Sequence, residues 1–292
     1  METPLNPLRG YALLSATAVG WALNWPLIKV ILRDWPPLFA RGLAGLVAAL
    51  LLAGVARAAG EDLRVPVRAL PRLCFAAYTN VFAWMGFATL AMTWLRAGET
   101  VLLVYSMPLW ATLFAWPILG VRPTRTALTA LGLGLAGLVL LVAGPGFSAG
   151  PGTGFGILFA LASAASFALG TVLNRTAPPL RPLAAVAWQV GLGSAPMLAL
   201  GLAFEAPHPG ALAPAGWAAF AYMVLVPMSA CYVTWFATLR ALPAPTAATG
   251  MLLVPVLGTL SAALALGEPL GWRELAAMGL TLGGVAIALR RA

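Results

Sequence analysis

Apolar residues run along this chain in blocks of about twenty, the length a helix needs to cross a bilayer, and short polar segments between them hold nearly all the charges. Charge-free intervals run from Arg9 to Lys29, Arg41 to Arg57, Arg72 to Arg96 and Glu99 to Arg122. A longer one runs from Arg125 to Arg175, and four more from Arg181 to Glu205, Glu205 to Arg240, Arg240 to Glu268 and Glu274 to Arg290. The Arg125–Arg175 interval holds two helices, because the run GPGFSAGPGTG over 144–154 interrupts it with glycine and proline. The pattern predicts ten helices, over 10–31, 36–56, 72–94, 98–120, 125–143, 154–174, 182–204, 215–239, 244–266 and 272–290. Sustained alternation is absent, which excludes a β-barrel. The predicted fold class is an all-α polytopic membrane protein.

Composition agrees. Hydrophobic residues make up 61% and charged residues 9%, too few charges to cover a soluble surface. The net charge of +9 follows a topological rule rather than marking a nucleic-acid partner. With ten helices both termini share one side. That side carries Arg9, Arg57, Arg64, Arg68, Arg72, Arg122, Arg125, Arg175, Arg181, Arg240, Arg290 and Arg291, twelve basic residues. The other side carries four, Lys29, Arg33, Arg96 and Arg273, and Arg41 falls inside a span. The bias puts both termini in the cytoplasm. Cys74 and Cys231 form neither a disulfide framework nor a metal motif. The first apolar run is too long for a signal-peptide core, so it reads as a retained helix.

The chain also nearly repeats itself. At an offset of 147, Pro108 meets Pro255, Thr112 meets Thr259, Gly120 meets Gly267, Gly132 meets Gly279 and Gly137 meets Gly284. The first helix of each half aligns at 146, pairing Trp21 with Phe167 and Lys29 with Arg175. The expected halves are 1–145 and 150–292, five helices each. Five is odd, so the second half enters the membrane inverted, an arrangement common in transporters that bind substrate between the halves.

Catalytic chemistry finds no residues to carry it. The single histidine, His208, lies in the loop sequence EAPHPG. Asp34 and Asp62 fall outside the spans, so no intramembrane aspartate dyad exists, and neither HExxH nor a phosphate-binding loop occurs. The expectation is no enzyme, no metal and no cofactor. What lies inside the membrane is aromatic and amide. The stretch GWALNWPLIK (20–29) contributes Trp21, Asn24, Pro26 and Lys29. Tyr78, Asn80 and Trp84 follow on helix three, Tyr105 on helix four, Trp188 on helix seven, and Tyr232 and Trp235 on helix eight. These residues are expected to line an aromatic cavity in which amides and hydroxyls fix the polar ends of a solute. Lys29 lies 20 residues beyond Arg9, about 30 Å along a helix, and so stands at the outer mouth. Pro26, Pro108 and Pro255 each free a carbonyl four residues earlier, at Ala22, Val104 and Met251. They are the expected hinges. Glu99 and Glu268, near the outer ends of helices four and nine, are the candidate proton carriers, although helix-end charges read better.

Three stretches carry a family resemblance: GWALNWPLIK, PLWATLFAWPILG (108–120) and PVLGTLSAALALGEPLGWRELAAMGLTLGGVAI (255–287). The chain resembles the drug/metabolite transporter superfamily, with two EamA-type repeats, and within it is most similar to the YddG-type exporters of aromatic amino acids. One departure is visible, Val121 after Gly120 where Glu268 follows Gly267. The resemblance implies a bacterial inner-membrane exporter of amino acids and related metabolites, embedded in lipid, without an obligate protein partner, working by alternating access. A multidrug or toxic-cation exporter, or another small-metabolite carrier of the same fold, is the alternative. Facilitated flux reads better than proton antiport.

Overall fold

The computed structural model describes residues 7–144, 147–174 and 180–289. Arg175, Arg290 and Arg291, which enter the charge bias above, lie outside the described residues. Ten helices are present among those described: α1 (Pro7–Ile31), α2 (Pro37–Ala58), α3 (Val67–Ala91), α4 (Ala97–Leu119) and α5 (Arg125–Val142). After them come α6 (Thr153–Leu173), α7 (Pro182–Phe204), α8 (Pro214–Ala241), α9 (Ala244–Gly250 continued as Leu253–Leu266) and α10 (Trp272–Leu289). Seven of them are long and apolar enough to cross a membrane. The other three are α1, diluted by the polar GWALNWPLIK stretch, the divided α9, and α10.

Two helices are broken where proline predicts a break, but the geometry differs from an interior kink. In α4 the helix stops at Val104, turns at Tyr105 and Ser106, and restarts at Met107, which puts Pro108 in a first turn. In α9 the turn at Met251 and Leu252 puts Pro255 in the first turn of the second segment. A first-turn proline lacks only an N–H that has no helical partner anyway. Pro26 behaves otherwise. It lies inside α1, which runs unbroken past it, so it makes no break there.

Helices α3 and α8 hold a feature that no residue pattern announced. Both widen into π-helix in mid-course, over Tyr78–Gly86 and Val226–Ala230. Such segments recur at functional sites.

Packing relates the two halves. Helix α2 packs along α7 and α5 along α10, while α1 lies against α8 and α9 as α6 lies against α3 and α4. Exchanging each helix for the one five places on leaves these pairs unchanged. The glycines keep the same relation. A Cβ at Gly137 would meet Ala277 and Thr281, and one at Gly284 would meet Ala130 and Gly134, the same positions 147 residues apart. Gly120 and Gly267 end α4 and α9 in the left-handed conformation, at φ +70° and +67°, which glycine adopts at no steric cost.

Carboxylates tie the helix ends together. The first N–H groups of a helix have no partner within it and carry partial positive charge. Glu205, at the end of α7, accepts from the Leu38 and Phe39 amides at the start of α2 (3.1 and 2.8 Å). Glu61, just beyond α2, accepts from the Ala184 amide at the start of α7 (2.8 Å). The two helices thus cap one another at opposite ends. Asp34 accepts from the Ala213 amide before α8 (3.0 Å), and Glu268 from the Ala97 and Gly98 amides at the start of α4 (2.7 and 2.9 Å). Glu99 accepts from the Arg96 and Ser148 amides and from the Ser148 hydroxyl, fixing the segment between α5 and α6.

Removing a side-chain cap costs about 0.5–2 kcal/mol. E61A and E205A are therefore each expected to destabilise the purified protein by about 1–2 kcal/mol, read as a lower melting temperature, and E61A more because Glu61 is buried. Unchanged melting in both variants would contradict the reciprocal capping.

Candidate functional site

The site is built from the π-helical segments and the aromatic residues docked on them. A π turn shifts the hydrogen-bond register and leaves carbonyls in want of donors, which lipid does not supply. The opposite half supplies them. Trp21 of α1 donates its indole N–H to the Pro227 carbonyl in the α8 segment (2.9 Å). Ser163 of α6 donates its hydroxyl to the Trp84 carbonyl in the α3 segment (2.7 Å). Tyr222 donates to the Gly20 carbonyl (3.1 Å), pulling α8 onto α1.

Around these bonds the rings form two groups. Trp21 lies 5.8 Å from Tyr232 and 6.0 Å from Trp235. Trp25, Tyr105, Trp84 and Phe167 form a string across α1, α4, α3 and α6, with centroid separations of 6.3, 6.1 and 4.6 Å. Trp21 and Phe167, aligned by the sequence repeat, occupy corresponding places, each against the π-bearing helix of the other half. Tyr105 sits at the break of α4. Asn24 is buried on α1, its Oδ1 without a partner.

One end of the bundle opens as a cleft of about 570 Å³. Lys29, Arg33, Trp35, Thr93, Leu266 and Glu268 are among the residues that line it. Lys29 donates to the Met92 carbonyl (2.5 Å), with Glu268 and Glu99 as its electrostatic neighbours. Both carboxylates are already engaged in helix capping.

The structure thus brings together Trp21, Tyr232 and Trp235 in one group and Trp84 and Tyr105 in another. Asn24 is beside them on α1, and Pro108 and Pro255 adjoin the helix breaks. Lys29 stands at the cleft, and Pro26 is buried without a break. Three expected lining residues stand apart. Trp188 is 37% exposed and donates to the Leu63 carbonyl in the α2–α3 loop, so it anchors a loop instead of joining the rings. Tyr78 is 49% exposed and stacks on Phe82, and Asn80 is turned to Gln189 of α7 (3.3 Å). Helical spacing placed all three on faces of their helices, but it does not say which face meets the other half.

Arg41 has a place that spacing alone did not assign. It is buried on α2, with one guanidinium N–H directed to the Met223 sulfur (3.1 Å) and its Nε without a partner. The sequence signal was available, since Arg41 is the one basic residue that no predicted loop accounts for.

The EamA-like transporter family model matches the chain twice, over residues 8–143 and 154–290. The chain belongs to this family. Among its relatives, the uncharacterized transporter YvbV of Bacillus subtilis (strain 168) is 28% identical over 97% of this chain and 92% of its own length. The uncharacterized inner membrane transporter YedA of Escherichia coli (strain K12) is 26% identical over 69% of this chain and 64% of its own. The uncharacterized protein PA1977 of Pseudomonas aeruginosa is 35% identical over 72% and 70%. A solved crystal structure superposes with a TM-score of 0.66 over 95% of this chain and 99% of its own, at 23% identity, which bears on the fold alone. The protein is therefore a membrane transporter with two EamA-like repeats.

For this EamA-like transporter the two kinds of tryptophan predict different outcomes. W21A removes the ring that joins α1 to α8 and the donor to Pro227, and is expected to lower transport in proteoliposomes at least about tenfold, some 1.4 kcal/mol. W188F removes only an exposed loop bond and is expected to leave the rate within about twofold. Equal losses in both variants would contradict this placement.

Proposed function

We propose that this chain exports amino acids, aromatic ones included, and related small metabolites across the bacterial inner membrane, by alternating access between two inverted five-helix repeats. Both termini face the cytoplasm in this reading, which puts the Lys29 cleft outside. The packing pattern that survives exchange of each helix for the one five places on supports the repeat. Inversion is supported by the bonds between helix ends. Those of Lys29, Asp34, Glu99, Glu205 and Glu268 join the α1–α2, α3–α4, α5–α6, α7–α8 and α9–α10 connections to one another. Those of Glu61 and Trp188 join the α2–α3 and α6–α7 regions.

The observation that carries the choice of substrate is where the acids are. Asp34, Glu61, Asp62, Glu99, Glu205, Glu268 and Glu274 all accept from backbone amides. A toxic-cation exporter needs an unengaged carboxylate beside its aromatic cage, and none is present among the described residues. The aromatic groups around Trp21 and Trp84 offer stacking surface for side chains, while Lys29 at the cleft offers positive charge to a carboxylate. Rocking occurs at the broken helices α4 and α9. At the cleft end Glu268 clasps the start of α4. The corresponding place in the other half has Val121 for the acid and Pro245, which has no N–H, for Gly98. The clasp therefore holds one gate and not the other. The engaged carboxylates also favour flux down the substrate gradient over proton antiport.

Purified protein in liposomes loaded with labelled amino acids, with and without a pH gradient, tests this reading. Saturable flux with counterflow, independent of the gradient, is the expected result. No saturable flux of any amino acid would overturn the substrate reading, and flux that strictly requires the gradient would overturn facilitation.

A further inference from the structure

Arg41 is a buried cation that is poorly satisfied where it stands. It is 6% exposed, about one turn inside α2, and makes no ion pair among the described residues. Met223 is its contact and Tyr232 its electrostatic neighbour, both on α8. A thioether is a weak acceptor, so one N–H direction is poorly satisfied and Nε is not satisfied at all. A cation inside a membrane protein is costly and marks a functional site with a partner to be named.

A second buried group without a partner lies one turn further along α2. Ser194 of α7 is fully buried with its Oγ unpaired. It is set against Gly45, where a Cβ would come within 1.9 Å of that oxygen. Only glycine at position 45 leaves room for the hydroxyl. The Met228 methyl approaches the same point (3.2 Å), so α2, α7 and α8 all meet there. The groups come from both halves, Arg41 from the first and Ser194 and Tyr232 from the second. The counterpart of Arg41 at an offset of 146 is Ala187, so the charge occurs once and not as a symmetric pair.

The donor set is a guanidinium and two hydroxyls, with no carboxylate among the described residues left to oppose them. Guanidinium geometry matches a planar, two-oxygen anion. We infer that Arg41, with Ser194 and Tyr232, receives the carboxylate of the transported solute at the junction of α2, α7 and α8. Tyr232 also contacts Trp21, so the carboxylate site adjoins an aromatic group that takes the apolar end. This rests on the transport reading above but not on the solute being an amino acid. A carboxylate without an amine satisfies it equally.

The test uses purified full-length protein and three ligands that share a phenyl ring: phenylalanine, 3-phenylpropanoate, which lacks the amine, and phenethylamine, which lacks the carboxylate. Binding is read by tryptophan fluorescence. Wild type is expected to prefer both carboxylates over phenethylamine at least about tenfold. In R41Q that preference is expected to fall to within about twofold, with phenethylamine binding unchanged. S194A, which deletes one hydroxyl from a site that folds around glycine, is expected to weaken carboxylate binding about threefold and keeps the test usable if R41Q does not fold. Preference retained in both variants would overturn the inference, as would a wild type that favours the amine. Carboxylate preference lost in R41Q while liposomes show no amino-acid flux would uphold the site and remove only the amino-acid reading.

Discussion

The backbone of a membrane-embedded chain has no water to complete its hydrogen bonds, and this shortage organises the whole structure. Helix starts suffer most, because their first N–H groups have no partner within the helix. This chain has few acids and spends them there. The reciprocal bonds of Glu205 to α2 and Glu61 to α7 close the central helix pair at both ends. The bonds of Asp34 to Ala213 and Glu268 to α4 extend the same device across one end of the bundle. Acids bound in this way are engaged with backbone amides. Lys29 and Arg33 line the cleft, and Arg41 is buried on α2.

The same shortage explains the middle of the bundle. The π-helical segments of α3 and α8 and the turns in α4 and α9 are non-helical or wide backbone at membrane depth. Such backbone is tolerated where protein or a watery cavity satisfies it. Trp21 and Ser163 do so from the facing half, one for each π segment. The irregular regions are therefore bound across the interface between halves, where a rocking motion would have to break and remake contacts. Symmetry is exact neither in sequence nor in bonding. Glu268 has no counterpart at Val121, and Pro245 has no N–H where Gly98 offers one.

Much of this was legible in the sequence. Charge-free blocks gave ten helices, because in lipid one charge is decisive where a soluble helix would tolerate several. Boundaries shifted by a few residues, most in α3, where a 3₁₀ turn moves the start to Val67 from 72 and the helix ends at Ala91 rather than 94. Two of the glycine pairs have a steric reason that composition does not dilute, left-handed turns at Gly120 and Gly267 and close approach at Gly137 and Gly284, whereas Gly132 and Gly279 stand in open space. The π segments were not legible, since no residue type requires them. The rotation of each helix was legible only in part. Trp21 meets Tyr232 and Trp235, and Trp84 meets Tyr105, whereas Trp188 and Tyr78, with the same spacing and chemistry, join neither group. Which face meets the other half depends on long-range packing. Arg41 was visible as an anomaly, but its meaning needed Ser194 and Gly45 beside it.

The Glu268 carboxylate clasps the start of α4 at the cleft end, joining a connection of one half to a helix of the other. Spin labels at Thr93 and Leu266, both on the cleft wall, read that end directly by pulsed electron resonance. A narrow distance distribution is expected for the otherwise native protein. The E268Q background, which leaves one α4 amide without its acceptor, is expected to shift the population to longer distances. A distribution unchanged by E268Q would mean that this carboxylate does not hold the cleft end together.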